Sequence, residues 1–118
     1  MSDSLIKPAH ATPDGTARYR DRHTDLPGHF RRTQNLWLSS IGIGTYLGQP
    51  GAQADGDYAA AVKRAVTSGL NVIDTASNYR FQRSERAIGQ ALAGVFAAQT
   101  VARNELVIAT KGGYIAFD

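Results

Sequence analysis

The chain has 118 residues, of which 42% are hydrophobic and none is cysteine, and its formal net charge is +3 at pH 7. This length fits one small domain, and the lack of cysteine excludes a disulfide framework or a thiolate metal site. Basic residues are scattered among acidic ones, which argues against a nucleic-acid partner, and no apolar run reaches the roughly 20 residues of a membrane span. With no signal-peptide pattern at its start, we expect a cytoplasmic protein with no membrane partner and no bound metal.

The first part of the chain, residues 1–29, has no sustained hydrophobic periodicity and is interrupted by prolines and glycines. This composition predicts a polar, flexible N-terminal extension. Its histidines, His10, His23 and His29, could suggest a metal site, but their spacing matches no compact pair of ligands. The folded domain is therefore expected to cover residues 30–118.

From Phe30 onward, short extended segments alternate with amphipathic ones. A β-hairpin is predicted around Thr33–Asn35, and Asp55–Asp57 offers N-cap chemistry for a helix that Gly69 would end. Ser84 is a second candidate N-cap. The expected strands are 41–45, 70–74 and 106–110, and the expected helices are 58–68 and 84–98.

The order strand–helix–strand–helix–strand predicts a parallel sheet, because right-handed crossovers of about 30 residues link such strands. Two architectures share this beginning: a doubly wound Rossmann sheet and a (β/α)8 barrel. Periodicity alone does not separate them.

The glycines favour the barrel. A dinucleotide fingerprint needs Gly-x-Gly-x-x-Gly directly before a helix and an acid about 20 residues later. Here Gly42, Gly44 and Gly48 place the third glycine one position late, and Asp74 lies 30 residues beyond Gly44. These departures weaken the Rossmann interpretation.

Polar residues follow the apolar strands, which is where a barrel has its active site. Tyr46 follows the first strand, Asp74 ends the second, Tyr79 lies in the next loop, and Lys111 follows the third. Each of them alone has an ordinary explanation as a turn former, a loop aromatic or a solvated charge. Their occurrence at successive strand ends indicates a site.

These residue types suit the reduction of a carbonyl. Negative charge develops on the carbonyl oxygen as hydride arrives, so a positioned proton donor lowers the barrier. A phenol titrates at about pH 10 in water, and a nearby ammonium group makes its proton easier to donate. Tyr79 as acid, Lys111 as the cation beside it and Asp74 as the anchor of Lys111 form a coherent relay that needs no metal.

Four segments of the chain resemble the aldo-keto reductase family. They are the Gly42–Tyr46 strand, the block Asp74-Thr-Ala-Ser-Asn-Tyr79, the helix start Ser84-Glu85-Arg86-Ala-Ile-Gly89 and the strand end Thr110-Lys111-Gly112-Gly113. The resemblance covers residues 30–118. It implies the first three β/α units of a (β/α)8 TIM barrel, preceded by the β-hairpin that closes the bottom of the family barrel.

The resemblance also implies an activity: NAD(P)H-dependent reduction of aldehydes or ketones to alcohols, with a small-molecule carbonyl substrate and NADP(H) expected over NAD(H). Tyr79 matches the general acid, and Lys111 and Asp74 match its supporting residues. Gly44, Thr45 and Asp74 match positions near the nicotinamide, and Tyr46 matches the substrate pocket.

The family's remaining strands have no counterpart among these residues, and neither do its catalytic histidine and most of its cofactor contacts. We therefore expect an N-terminal portion of an aldo-keto reductase that is inactive alone and self-associates through open sheet edges. The alternative is a non-catalytic barrel fragment that acts as a binding or assembly module.

Overall fold

The structure, a computed structural model, describes residues 9–112; Gly113 of the family-like motif and the first eight residues of the expected extension lie outside this range. In chain order the elements are α1 Pro13–Asp21, β1 Phe30–Thr33, β2 Leu36–Ser39, β3 Ile43–Gly44, α2 Ala52–Ser68, β4 Val72–Asp74, α3 Arg83–Ala97, a 3-10 helix Arg103–Glu105 and β5 Val107–Ala109.

The strands form two separate sheets. β3, β4 and β5 are parallel and adjacent in that order, with Gly44 opposite Asp74 and Asp74 opposite Ala109 at the C-terminal edge. β1 and β2 form an antiparallel hairpin whose loop residues, Gln34 and Asn35, have φ values of 54° and 67°. Two positive φ angles in a two-residue loop match the right-handed twist of the flanking strands.

The core lies where α2 and α3 pack against each other and against the sheet. Burial of each large aliphatic side chain contributes about 1.5–3 kcal/mol, so this cluster is the main source of stability. Its larger members are Tyr19, Val62, Val66, Ile73, Ile88, Leu92, Val95 and Leu106.

Helix α2 begins earlier than the sequence predicts. It starts at Ala52, and the Asp55 N–H already donates to the Gly51 carbonyl in the first turn. The predicted N-cap at Asp55–Asp57 is wrong, because the helix has already begun there and the Asp55 carboxylate binds Arg80, before α3, and Arg83, the first residue of α3. The predicted end is confirmed: Gly69 caps the helix in a left-handed conformation with φ 119°.

Helix α3 lies within about two residues of its predicted bounds, because its apolar residues recur at helical spacing. Ser84, predicted as the N-cap, lies inside the first turn, and the helix is preceded by Gln82. The Ser84 hydroxyl donates to the Thr45 carbonyl at 2.6 Å. This serine therefore ties α3 to the end of β3.

A helix occupies part of the segment that was expected to be a flexible extension. In α1 the Thr12 hydroxyl accepts a hydrogen bond from the Gly15 N–H at 2.9 Å, and Pro13 lies in the first turn. Thr as N-cap and Pro at the first helical position are standard helix-start residues. The prediction of a solvated extension is therefore wrong for α1, because its proline and glycine begin a helix and do not break one.

Helix α1 is also part of the core. Tyr19 is fully buried, and its hydroxyl donates to the Val66 carbonyl of α2. At Gly15 a Cβ atom would lie 2.2 Å from the Asn104 carbonyl oxygen. Only glycine allows the backbone of α1 to approach the backbone at Asn104 this closely. The Nε2 atom of His29, one of the three histidines of the N-terminal segment, lies 2.9 Å from the Gly69 carbonyl oxygen.

A buried carboxylate joins α1 to the 3-10 helix. Glu105, with 2% of its side chain exposed, accepts hydrogen bonds from Arg18 at 2.8 Å and from Arg22 at 2.6 Å. Burial by itself raises the pKa of Glu105, but the hydrogen bonds from Arg22, the Ala102 N–H and Arg18 together outweigh it, so the pKa is lowered. The carboxylate therefore stays ionised and holds α1 in place.

Asn71 joins the hairpin to the parallel sheet. Its side-chain oxygen accepts from the Ser39 N–H at 2.9 Å, and its amide donates to the carbonyls of Trp37 and Glu105 at 2.9 and 3.1 Å. Its own carbonyl accepts from the Val107 N–H. Through its side chain and its backbone, this fully buried residue thus fixes β2, β4 and the start of β5 relative to one another. None of the helices within residues 9–112 has the length and apolarity to cross a lipid bilayer.

Replacing the buried carboxylate should weaken the fold. We expect Glu105→Gln to lower the free energy of unfolding by about 1–3 kcal/mol, the usual contribution of hydrogen bonds to a charged group. Because the folded-state pKa of Glu105 is lowered, its contribution is fully present above the ordinary value of 4.5 and disappears as the pH falls through the folded value. Urea unfolding between pH 3 and 7 measures both effects.

The matched control is Asp21→Asn, because Asp21 pairs with Arg20 on the surface and 63% of its side chain is exposed. An exposed pair contributes about 0–1 kcal/mol, so this variant should resemble the parent. Equal losses of unfolding free energy in the two variants would contradict the assigned role of Glu105. So would a Glu105→Gln variant whose stability falls with decreasing pH as steeply as that of the parent.

Candidate active site

The C-terminal edge of the parallel sheet collects the polar residues that the sequence singled out. Asp74 ends β4, and Lys111 follows β5 after Thr110. Tyr79 lies between β4 and α3, where its N–H donates to the Ala76 carbonyl. Because parallel strands end at the same edge, residues separated by more than thirty positions in sequence meet here.

Lys111 contacts the other two residues, as the sequence predicted. Its Nζ donates to Asp74 Oδ1 at 2.9 Å and to the Thr75 carbonyl at 2.7 Å. The same atom lies 5.1 Å from the centroid of the Tyr79 ring. The ammonium group is therefore positioned between a carboxylate and a phenol.

The charge of Lys111 is stabilised by these neighbours. The hydrogen bond with Asp74 raises the pKa of Lys111, and Tyr79 adds a smaller contribution of the same sign. Partial desolvation opposes them without reversing the shift. Both members of the ion pair are about half exposed, Asp74 at 53% and Lys111 at 47%, so the pair faces an open space above the sheet.

Tyr46 lies beside Tyr79. The two rings meet edge to face with centroids 5.1 Å apart and an interplanar angle of 73°, the arrangement that aromatic pairs favour. Tyr46 and the following Leu47 are largely exposed, and Phe81, beyond Tyr79, is about half exposed. The site is thus bordered by apolar side chains open to solvent.

Gly44 and Thr45, which the sequence resemblance places near a cofactor, differ in their surroundings. A Cβ atom built on Gly44 would meet nothing within 4 Å, so the strand end is open. Thr45 is fully buried: its hydroxyl donates to the Asp74 carbonyl at 3.0 Å, and its carbonyl accepts from Ser84. Both Thr45 oxygens are engaged within the protein, and its contact with a cofactor stays a prediction.

A cluster of charges that the sequence did not reveal borders the site. Asp55 of α2 binds Arg80 and Arg83, the latter at 3.0 Å. Partial desolvation raises the pKa of Asp55, but the hydrogen bonds from both arginines outweigh this and lower it. Asp55 lies 25 positions before Arg80 and 28 before Arg83, so no local pattern could have indicated these contacts.

The backbone after Tyr79 has an uncommon conformation. Arg80, Phe81 and Gln82 have φ values of 52°, 58° and 67°, three left-handed residues in succession, none of which is glycine. Each such residue costs roughly 1–2 kcal/mol, so other interactions must hold the turn. Strain of this kind is concentrated at functional sites.

Comparisons with known proteins agree with this geometry. A sequence model described as the Aldo/keto reductase family matches residues 40–117. The chain is also 33% identical over 88 residues to the NADH-specific methylglyoxal reductase of Escherichia coli (strain K12), a match that covers 70% of this chain and 25% of that protein. The chain thus spans about a quarter of the length of the curated relative it matches. Its mixed α/β structure is consistent with part of the family's barrel, and the chain belongs to the aldo/keto reductase family.

Proposed function

We propose that these residues provide the proton-donating side of an NAD(P)H-dependent oxidoreductase that reduces aldehydes or ketones to alcohols. The observation that carries the proposal is the position of Lys111, hydrogen-bonded to Asp74 and lying over the Tyr79 ring. Family membership supports an oxidoreductase. The proposed roles are acid for Tyr79, supporting cation for Lys111 and anchor for Asp74.

Each residue has a separate task in this proposal. Tyr79 donates its hydroxyl proton to the carbonyl oxygen of the substrate as negative charge develops there. Lys111 stabilises the phenolate that this transfer leaves, because its ammonium group lies beside the ring. Asp74 keeps Lys111 charged and fixes its direction through the 2.9 Å hydrogen bond. Tyr46, which packs against Tyr79, forms part of the substrate pocket.

The open end of β3 suits a planar cofactor. Gly44 leaves free space where a side chain would stand, and Asp74 lies opposite it across the sheet, with its carboxylate half exposed. Gly44, Asp74 and the neighbouring Thr45 would therefore border the nicotinamide, which when bound supplies hydride to the carbonyl carbon. Water would be excluded by parts of a barrel beyond the three strands described here.

The sequence resemblance and the curated relative point to different nicotinamide cofactors. The sequence resemblance favoured NADP(H), whereas the curated relative is named as NADH-specific. Family membership thus supports a nicotinamide cofactor, and the curated relative gives no support to NADP(H) over NADH. We propose a small carbonyl compound as substrate, and assays should include both cofactors and methylglyoxal, the substrate in the relative's name.

We further propose that β3, β4 and β5, with α2 and α3, are the first units of a (β/α)8 barrel and that the hairpin lies at its bottom. The strand order and the two helical connections support this arrangement. The alternative function is a non-catalytic binding or assembly module. One observation favours it: the three-stranded sheet has two edge strands, and such edges can pair with another chain.

The role of Tyr79 can be tested in a chimera in which this chain replaces the matching quarter of the Escherichia coli reductase. In that complete barrel, Tyr79→Phe should reduce kcat for carbonyl reduction about 10²- to 10⁴-fold, because it removes the proton donor and little else. Cofactor binding, followed by fluorescence, should change little. The control is Tyr19→Phe, which deletes a phenol oxygen that bonds to Val66 far from the site. Rates within threefold of the parent for Tyr79→Phe would remove Tyr79 from the mechanism.

The 118-residue chain by itself should bind nicotinamide cofactors more weakly than about 1 mM, because it has no glycine-rich phosphate loop. It should also show no aldehyde-dependent oxidation of NADH or NADPH.

Size-exclusion chromatography should show concentration-dependent association through the sheet edges. Ala109→Lys, which places a charge at an exposed position on the edge strand β5, should shift this equilibrium toward monomer. A monomer that turns over substrate would contradict the proposal.

A further inference from the structure

The strained turn after Tyr79 contains a buried guanidinium group, that of Arg80. Only 1% of the Arg80 side chain is exposed. Its Nε donates to the Gln49 carbonyl at 3.0 Å, and Nη2 reaches the Gly51 carbonyl at 3.4 Å and the Asp55 carboxylate. The cation also lies 5.0 Å from the centroid of the Tyr58 ring. A charge so fully removed from water needs such a set of partners.

These contacts belong to a regular pattern along the loop that joins β3 to α2, residues 45–51. Ser84 donates to the carbonyl of Thr45, and Tyr58 donates to that of Leu47. The next alternate carbonyls, at positions 49 and 51, accept from Arg80. Every second carbonyl of the loop is thus held by a side chain, and Arg80 holds two of the four.

The two segments that Arg80 connects carry the two aromatic rings of the site. Its backbone directly follows Tyr79, and its side chain binds the loop that carries Tyr46. The rings of these tyrosines meet edge to face with centroids 5.1 Å apart. Within residues 9–112, Arg80 is one of two side chains whose hydrogen bonds connect these segments. The other is Ser84, whose N–H donates to the Tyr79 carbonyl and whose hydroxyl donates to the Thr45 carbonyl.

We propose that Arg80 is a positioning residue that sets the orientation of Tyr79 relative to Tyr46 by tying the left-handed turn to the 45–51 loop. Its importance for the reaction rests on the proposed function of Tyr79 as the acid. The geometric claim does not, because it concerns the position of two rings whether or not they take part in a reaction.

The pattern of contacts requires arginine. The planar guanidinium has five N–H donors pointing in fixed directions, so it serves Gln49, Gly51 and Asp55 together. A lysine has one ammonium nitrogen and binds as a point charge, and it could replace only part of this set. Arg83 provides a matched comparison, since it binds the same Asp55 carboxylate from a side chain that is 36% exposed.

Fluorine NMR of the 118-residue chain labelled with 3-fluorotyrosine tests the proposal. The chain has five tyrosines, and Tyr→Phe substitutions assign their signals. In Arg80→Met the Tyr46 and Tyr79 signals should shift or broaden while that of Tyr19, in the core, stays in place. Arg80→Lys should be intermediate, and Arg83→Met should match the parent.

Proteolysis gives a second readout on the same variants. Chymotrypsin cleavage after Leu47, identified by mass spectrometry, should be at least about tenfold faster in Arg80→Met than in the parent or in Arg83→Met, because release of the loop raises the population of cleavable conformations. Arg80→Lys should lie between them.

Three results would overturn the proposal: unchanged Tyr46 and Tyr79 signals in Arg80→Met, equal effects of Arg83→Met and Arg80→Met, or full recovery in Arg80→Lys. If Arg80→Met unfolds, so that the Tyr19 signal also changes, Arg80→Lys decides by the same criteria against the parent. Neither readout requires turnover. The kinetic test can therefore contradict the proposed function of Tyr79 without contradicting the positioning role of Arg80, and the reverse also holds.

Discussion

The arrangement of the described chain depends on Asn71, a fully buried residue directly before β4. Its side chain makes hydrogen bonds to Trp37, Ser39 and Glu105, and so joins the hairpin, the central strand and the turn before β5. A buried polar group is costly when unpaired, and one whose donors and acceptor are all used favours a single arrangement of its neighbours. Helix α1 adds to this end of the molecule, because its arginines bind the carboxylate of Glu105.

The opposite end of the same short strand carries the site. Three residues after Asn71, Asp74 meets Lys111 in an ion pair that is half exposed, and such pairs contribute about 0–1 kcal/mol to stability. The ion pair therefore contributes little to the stability of the fold. The backbone sets its position, and its charges are accessible for the proposed reaction. Stability and proposed function are thus separated along β4, with buried polar contacts at one end and accessible charges at the other.

Features that follow from local patterns or from the order of the strands could be predicted, and features that depend on particular side-chain contacts between distant residues could not. The bounds of α3 and the stop at Gly69 follow from helical periodicity and from the conformational freedom of glycine. The meeting of Asp74 and Lys111 follows from parallel strand ends. Helix α1 was missed although Thr12 and Pro13 carry a local start signal, because it is polar and its burial depends on Asn104 and Glu105, more than eighty residues away. The contacts of Arg80 with Gln49 and Asp55 could not be predicted for the same reason, since these partners are 31 and 25 residues away.

The proposed chemistry depends on the position of Lys111 between the Asp74 carboxylate and the Tyr79 ring. The most direct measurement is a carbon-edited nuclear Overhauser spectrum of the isotopically labelled chain. With Lys111 Nζ 5.1 Å from the ring centroid, cross-peaks are expected between the Lys111 ε-methylene and the Tyr79 ring protons. They should weaken in Asp74→Asn, which removes the charge that directs the lysine. A well-dispersed spectrum of the parent chain without these cross-peaks would show that Lys111 does not lie beside Tyr79.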